Sequence, residues 1–158
     1  MALGQTLDVG CGIGRNLEHL DGRGVGVDHN PDSVAACRAR GFDAYTTDEF
    51  RTSGAASTRF TALLFSHVLE HMTRAEAISL VRKYLPNLQR PGKVVFVTPQ
   101  ERGYASDATH VEFMDLDALT DIADRCGLAV ERSESFPFPR PFGRLFTYNE
   151  FVVVATAT

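Results

Sequence analysis

The residues best suited to chemistry appear early in the chain. Leu7-Asp8-Val9 is a short apolar run broken by one acid, and Gly10, Gly12 and Gly14 follow at alternate positions, with Cys11 between the first two. Asn16-Leu17-Glu18-His19-Leu20 then takes up helical spacing. A strand, a tight glycine turn and a helix start are expected, an arrangement in which a ligand can approach the backbone and meet free N–H groups. The glycines run G-x-G-x-G, not the G-x-G-x-x-G that cradles a pyrophosphate. Asp8 would repel a pyrophosphate but suits a ligand carrying an ammonium group. Asp28 stands 18 residues beyond Gly10, near the spacing of an acid that accepts hydrogen bonds from both hydroxyls of a ribose.

Strand-like and helix-like stretches alternate, which predicts an α/β fold with a largely parallel sheet. Strands are expected over residues 5–9, 25–28, 42–46, 60–66 and 93–97, and the last two over 128–133 and 146–155. A short helix is expected from Arg15 to Leu20, ended by Asp21-Gly22-Arg23-Gly24. Asn30-Pro31 opens a second helix closed by Gly41, Thr73 caps a third that stops before Pro86, and Leu116 to Cys126 forms another, ending at Gly127. Residues 51–59 read as loop, and Asp48-Glu49-Phe50 follows the third strand directly. Two final strands with no helix between them suit an antiparallel hairpin at the sheet edge.

The 158 residues suit one domain, residues 1–158, with a single core. Hydrophobic content of 44% and charged content of 23% are those of an ordinary soluble protein. A formal net charge of −4 argues against a general binder of nucleic acid or anionic membrane. Cys11, Cys37 and Cys126 are odd in number and form no C-x-x-C pair, as expected of free thiols in a reducing, cytoplasmic setting. No apolar run reaches membrane-spanning length, and no signal pattern opens the chain.

The pattern Asp8-x-Gly10-x-Gly12-x-Gly14 resembles the first motif of the class I S-adenosylmethionine-dependent methyltransferases, and the order of elements resembles theirs along essentially the whole chain. The resemblance implies a Rossmann-like, seven-stranded, mostly parallel sheet with a C-terminal antiparallel hairpin and helices on both faces. It implies S-adenosylmethionine as cofactor, held by Asp8, Gly10, Cys11, Gly12 and Gly14 around the methionine part and by Asp28 at the ribose. His29 would flank the adenine or face solvent. Asp48, with Glu49 beside it, would receive the adenine amino group.

Ser66-His67-Val68-Leu69-Glu70-His71 resembles the family's V-L-E-H stretch, which lies between cofactor and acceptor, so Ser66 and His67 are expected to line the cofactor. Read plainly, Glu70 is a buried hydrogen-bonding residue that holds this loop and His71 faces the acceptor. Ubiquinone-pathway O-methyltransferases carry acid, acid and histidine at the positions of His67, Glu70 and His71, and some are thought to use a metal. The first acid is missing here, and no metal is expected.

Residues 98–112 form an irregular stretch after the fifth strand, where ligands of open α/β sheets bind. Related small-molecule methyltransferases place a histidine and then an aromatic just before the next helix, matching His110-Val111-Glu112-Phe113. His110, with His71 as the second choice, is therefore the candidate base that takes a proton from an acceptor hydroxyl during attack on the methyl group. His110 could equally precede its helix and hydrogen-bond backbone. Tyr104 and Asp107 are secondary candidates in the same loop.

The expected activity is methyl transfer to a small-molecule acceptor, with O-methylation ahead of N- or C-methylation. A cofactor-binding module without activity of its own is the alternative, and the glycine spacing disfavours a nicotinamide-dependent reductase. Family members usually carry helices before the first strand. Only a few residues precede it here, which predicts an open site or one covered by a homodimer or partner.

Overall fold

The computed structural model describes residues 3–157. Seven strands form one sheet in the order β3-β2-β1-β4-β5-β7-β6. They are β1 (Thr6–Val9), β2 (Gly24–Asp28), β3 (Asp43–Thr46), β4 (Phe60–Ser66), β5 (Leu88–Pro99), β6 (Ala129–Phe136) and β7 (Glu150–Ala157). β1 through β5 pair in parallel, and β7 lies antiparallel between β5 and β6. The order reverses direction between β1 and β4, the point at which open α/β sheets form their ligand crevice.

Side chains alternate across the sheet with period two. Leu63 and Phe65 of β4, Val94 and Phe96 of β5, and Phe151, Val153 and Ala155 of β7 share one buried cluster with the helices α3 (Arg74–Tyr84) and α5 (Leu116–Arg125). Leu64, Val95 and Val154 form a smaller cluster from the intervening positions. Helix α1 (Pro31–Ala39) joins Val34 and Cys37 to Cys11, Leu17 and Ala44 near β2 and β3. Asp8 alternates with Leu7 and Val9 and registers with Leu64, so it shares a side of the sheet with Leu64 and Ser66. No helix among the described residues is long and apolar enough to cross a membrane.

Four expectations need correction. The helix foreseen over 15–20 is only a 3-10 turn at Leu17–His19, because Gly14 sits at φ +84° and the turn at Asp21-Gly22, both at positive φ, closes the segment within two turns. Residues 51–59, read as loop, begin inside a helix, α2 (Thr47–Thr52), which also carries Asp48 and Glu49, and include a 3-10 turn at Gly54–Ser57; Thr46 and Glu49 close a reciprocal capping box at the start of α2. β5 starts at Leu88, five residues before the strand expected over 93–97, and takes in Pro91-Gly92; its pairing with β4 begins at Phe60–Leu88 and resumes at Ala62–Lys93 after an irregularity. The last strand starts at Glu150, four residues late, because Arg140–Arg144 forms a 3-10 turn and the chain up to Asn149 is held by side chains.

That hold is a buried polar network. Asn149 Nδ2 donates to Gln100 Oε1 (3.1 Å) and Ser135 Oγ (3.0 Å), and its Oδ1 accepts from the Phe138 N–H (2.9 Å). Gln100 Nε2 donates to Ser135 Oγ (2.7 Å) and to the Glu150 carbonyl (2.9 Å). Arg140 pairs with Glu101 on the short helix α4 (Glu101–Tyr104), which gives the arginine of the proline- and phenylalanine-rich connection a structural partner. The end of β5 and the start of β7 are thereby fastened together.

Candidate functional site

The glycine turn is shaped by steric need at two positions and by openness at a third. Gly10 has φ +78°, and a Cβ there would lie 2.6 Å from Val68 Cγ2. Gly14 has φ +84°, with Phe42 at 2.9 Å and Cys37 Sγ at 3.0 Å from such a Cβ. At Gly12, φ +52°, a Cβ would meet nothing within 4 Å. Gly10→Ala should therefore lower stability by about 2 kcal/mol or more through combined backbone strain and overlap, and Gly12→Ala by only about 1 kcal/mol through backbone strain. Urea unfolding of the two variants checks the contrast; equal losses would mean that Val68 yields freely.

Asp28 organises the turn. Its Oδ2 accepts the Gly12 N–H at 2.8 Å and its Oδ1 accepts the Asn30 N–H at 2.9 Å. Each oxygen retains lone-pair capacity for a further donor. Asp8 is fully buried, its Oδ1 lies 3.5 Å from Asn16 Nδ2, and its Oδ2 has no hydrogen-bond partner among the described residues. Burial pushes its carboxyl up to about 7, against a smaller lowering by Asn16 and a smaller raising by Asp28. A buried acid beside an open glycine turn is a fitting receptor for a cationic group.

Two cavities meet here. One, of about 370 Å³, is lined by Gly10, Cys11, Gly12, Ile13, Arg15, Asn16, Ser66 and His67. The other, of about 620 Å³, has Arg15, Asn16, Ser66 and His67 in common with it and extends to Glu70, His71, His110 and Glu150. His67 stands at the junction with φ +55°, a backbone state uncommon outside glycine and asparagine that turns its ring away from the strand direction. Its Nε2 is 2.7 Å from Glu150 Oε1. Its Nδ1 lies 3.4 Å from Glu70 Oε1, close enough for an ion pair but without hydrogen-bond alignment. Glu150 first, and Glu70 second, raise the imidazole to about 9, so His67 is a cation at neutral pH, held between two carboxylates.

The far wall is built by the loop after β5. His110 Nδ1 contacts the Tyr104 carbonyl at 2.7 Å, so that nitrogen carries the proton and Nε2 the lone pair. Thr109 Oγ1 gives its single proton to Asp107 Oδ1 at 2.7 Å and so accepts from His71 Nδ1, 3.1 Å away, leaving Nε2 of His71 as its lone-pair nitrogen too. The two imidazoles lie 4.7 Å apart between centroids, and Tyr104 stacks on His110 at 4.9 Å. The secondary candidates Tyr104 and Asp107 thus support the histidines. Glu70 is completely buried, yet neither of its side-chain oxygens has a hydrogen-bond partner among the described residues. Its main-chain carbonyl, accepting from Val111 N–H at 2.8 Å, is what holds the loop, in place of the carboxylate expected to do so.

Other candidates lie elsewhere. The His29 side chain is 94% exposed beside Asp28, on the surface. Cys11 is buried with its Sγ packed toward Gly26, and it meets the smaller cavity as part of the loop. Asp48 is turned outward, 92% exposed, to Arg51. Glu49 is committed to capping α2 and to Arg38 at 2.8 Å. Neither acid lines either cavity, as Asp8 and Asp28 do not, and both acids sit in the first turn of the helix begun by their own capping box. Asn16, Arg15 and Glu150, by contrast, were not foreseen. Asn16 and Arg15 carried a signal, since they follow the third glycine; Glu150 had none, being 83 residues from His67.

Residues 2–133 match a family described as a methyltransferase domain. A tabtoxin biosynthesis enzyme of Pseudomonas amygdali pv. tabaci is 29% identical, over 87% of this chain and 59% of its own length, so the chain spans about three-fifths of that curated relative. Among solved structures, a SAM-dependent methyltransferase from Archaeoglobus fulgidus superposes with a TM-score of 0.76 at 19% identity, over 98% of this chain and 86% of that one. An O-methyltransferase from neocarzinostatin biosynthesis, in complex with S-adenosylmethionine and 2-hydroxy-5-methyl naphthoic acid, gives 0.72 at 19% identity, over 99% of this chain and 50% of that one.

Proposed function

We propose that this chain, which belongs to the methyltransferase domain family and is a class I S-adenosylmethionine-dependent enzyme, moves a methyl group onto a hydroxyl oxygen of a small-molecule acceptor. The observation that carries the reading is the junction of the two cavities: the one lined by the glycine turn, with Asp8 buried behind it against Asn16, opens past Ser66 and His67 onto a wall of two oriented imidazoles. The likeness to an O-methyltransferase structure supports the same reading.

The residues fit the cofactor. The unpartnered Oδ2 of Asp8 suits its ammonium group, the open face of Gly12 admits its backbone-hugging chain, and Asp28 suits its ribose hydroxyls. When bound, S-adenosylmethionine supplies a methyl group on a sulfonium already activated toward nucleophiles. The protein's own work is then to hold the acceptor in line and to help it lose a proton. His110, its ring fixed by the Tyr104 carbonyl and flanked by His71, offers its Nε2 lone pair to that proton.

His110→Ala should cut turnover by about 10²- to 10⁴-fold while leaving affinity for S-adenosylhomocysteine near wild type. Transfer of a labelled methyl group to a panel of phenols and hydroxy acids, with calorimetry of S-adenosylhomocysteine, checks both halves. Unchanged turnover would remove His110 from the reaction. An acceptor methylated on nitrogen or carbon would replace the oxygen assignment.

A further inference from the structure

The sequence leads one to expect no metal, but the fold gathers three ligating groups that the sequence separates. Glu70 and His71 end the 3-10 turn after β4, and His110 arrives from the loop beyond β5. One ligand atom from each lies within 4.8 Å of the others. We propose that Glu70, His71 and His110 bind a divalent first-row transition-metal ion at the wall of the larger cavity.

Three features support the site. Neither buried side-chain oxygen of Glu70 has a hydrogen-bond partner among the described residues; the His67 imidazole meets Oε1 only at 3.4 Å and out of alignment, which leaves the carboxylate under-satisfied and able to take a further cation. Both histidines have Nδ1 engaged by the same loop, which directs the lone pair to Nε2 in each. That is the outer arrangement metal-binding imidazoles need, with Asp107 acting through Thr109 on one and the Tyr104 carbonyl on the other. The donor set, two imidazoles and one carboxylate, leaves coordination positions open for substrate and favours ions such as Zn²⁺, Fe²⁺ or Co²⁺ over Mg²⁺. His67 is not among the ligands, since its Nε2 is committed to Glu150 at 2.7 Å.

Ligand atoms around such an ion, bound at about 2.0–2.2 Å, stand roughly 3.0–3.4 Å apart by simple geometry. The widest separation must therefore close by about 1.5 Å, and His71, exposed at the rim, has the freedom to do so. Resting on the methyltransferase reading, the ion defines an acceptor class: a hydroxyl with a second oxygen donor beside it, able to chelate. An oxygen bound to the ion loses its proton to solvent more readily near neutral pH. His110 then serves as a ligand, and the ion takes over the work otherwise done by its free lone pair.

The test is cobalt titration of the whole protein followed by visible absorption. One equivalent of Co²⁺ should give d–d bands that Zn²⁺ displaces, and His71→Asn and His110→Asn should each weaken Co²⁺ binding by about 10- to 100-fold. Their affinity for S-adenosylhomocysteine, measured on the same samples, should stay at the wild-type value and so report an intact fold. Absence of bands in the wild type, or equal Co²⁺ affinity in both variants, overturns the site. Wild-type protein that holds Co²⁺ but not S-adenosylhomocysteine would instead strike the cofactor reading and leave the metal site standing.

Discussion

Asp28→Ala should weaken binding of S-adenosylhomocysteine by two orders of magnitude or more. The carboxylate holds two backbone N–H groups and, in the proposed reading, the ribose, and the substitution removes both functions. It holds the Gly12 and Asn30 N–H groups, so its loss leaves two backbone donors of the turn without their acceptor. It also removes the proposed receptor for the ribose hydroxyls. Hydrogen bonds to a charged group contribute about 1.5–3 kcal/mol each, so losing two such bonds to the ligand amounts to about 3–6 kcal/mol, enough for a 100-fold change even at the lower bound. Asp28→Asn keeps one oxygen acceptor and should fall between the alanine variant and wild type. Calorimetry at a fixed pH measures all three, and wild-type affinity in Asp28→Ala would take the ribose away from this residue.

The second large effect concerns pH. The Asp8 carboxyl is pushed up to about 7 by burial. A ligand ammonium favours its ionised form, so below about pH 7 binding must first release a proton. Affinity for S-adenosylhomocysteine should rise by nearly tenfold per pH unit between pH 5 and 7, then level off, with close to one proton released per ligand bound at the lower end. Calorimetry in buffers of different ionisation enthalpy counts that proton. Asp8→Asn should flatten the profile; a sloping profile in that variant would assign the proton elsewhere.

The same group sets the stability of the ligand-free protein with the opposite sense. Its pKa is raised on folding, so the stabilising effect of its protonated form is fully present below the ordinary carboxylate value of 3.8 and is lost as pH rises through about 7. About three pH units at roughly 1.4 kcal/mol each amounts to about 4 kcal/mol. The apo protein spends stability at neutral pH to keep a charge ready.

What the sequence made legible, and what it did not, follows the range of the interactions. The glycine turn, Asp28, the caps of α1 and α3 and the alternation of strands and helices rest on neighbours along the chain, and each left a local pattern. Helix α2 left one as well, since Thr46 and Glu49 spell a capping box; its six residues were too short to show apolar periodicity. The pairing of His67 with Glu150, the approach of His110 to Glu70, and the contact of Asn16 with Asp8 arise only when the sheet brings distant segments together. No spacing announces them. The acids Asp48 and Glu49 show the converse, since their position after β3 suited the crevice but their helix turned them outward.

The placement of β7 bears on how the molecule comes into being. β7, though later in sequence than β6, fills an interior slot between β5 and β6 and does not extend an edge. While a ribosome is still making the chain, β5 carries an unpaired row of backbone groups and β6 has no neighbour to dock on. Glu150, the first residue of β7, is the group that secures His67. The glycine turn can therefore assemble from β1, β2 and β4 before β7 is in place, whereas the hold on His67 waits for Glu150.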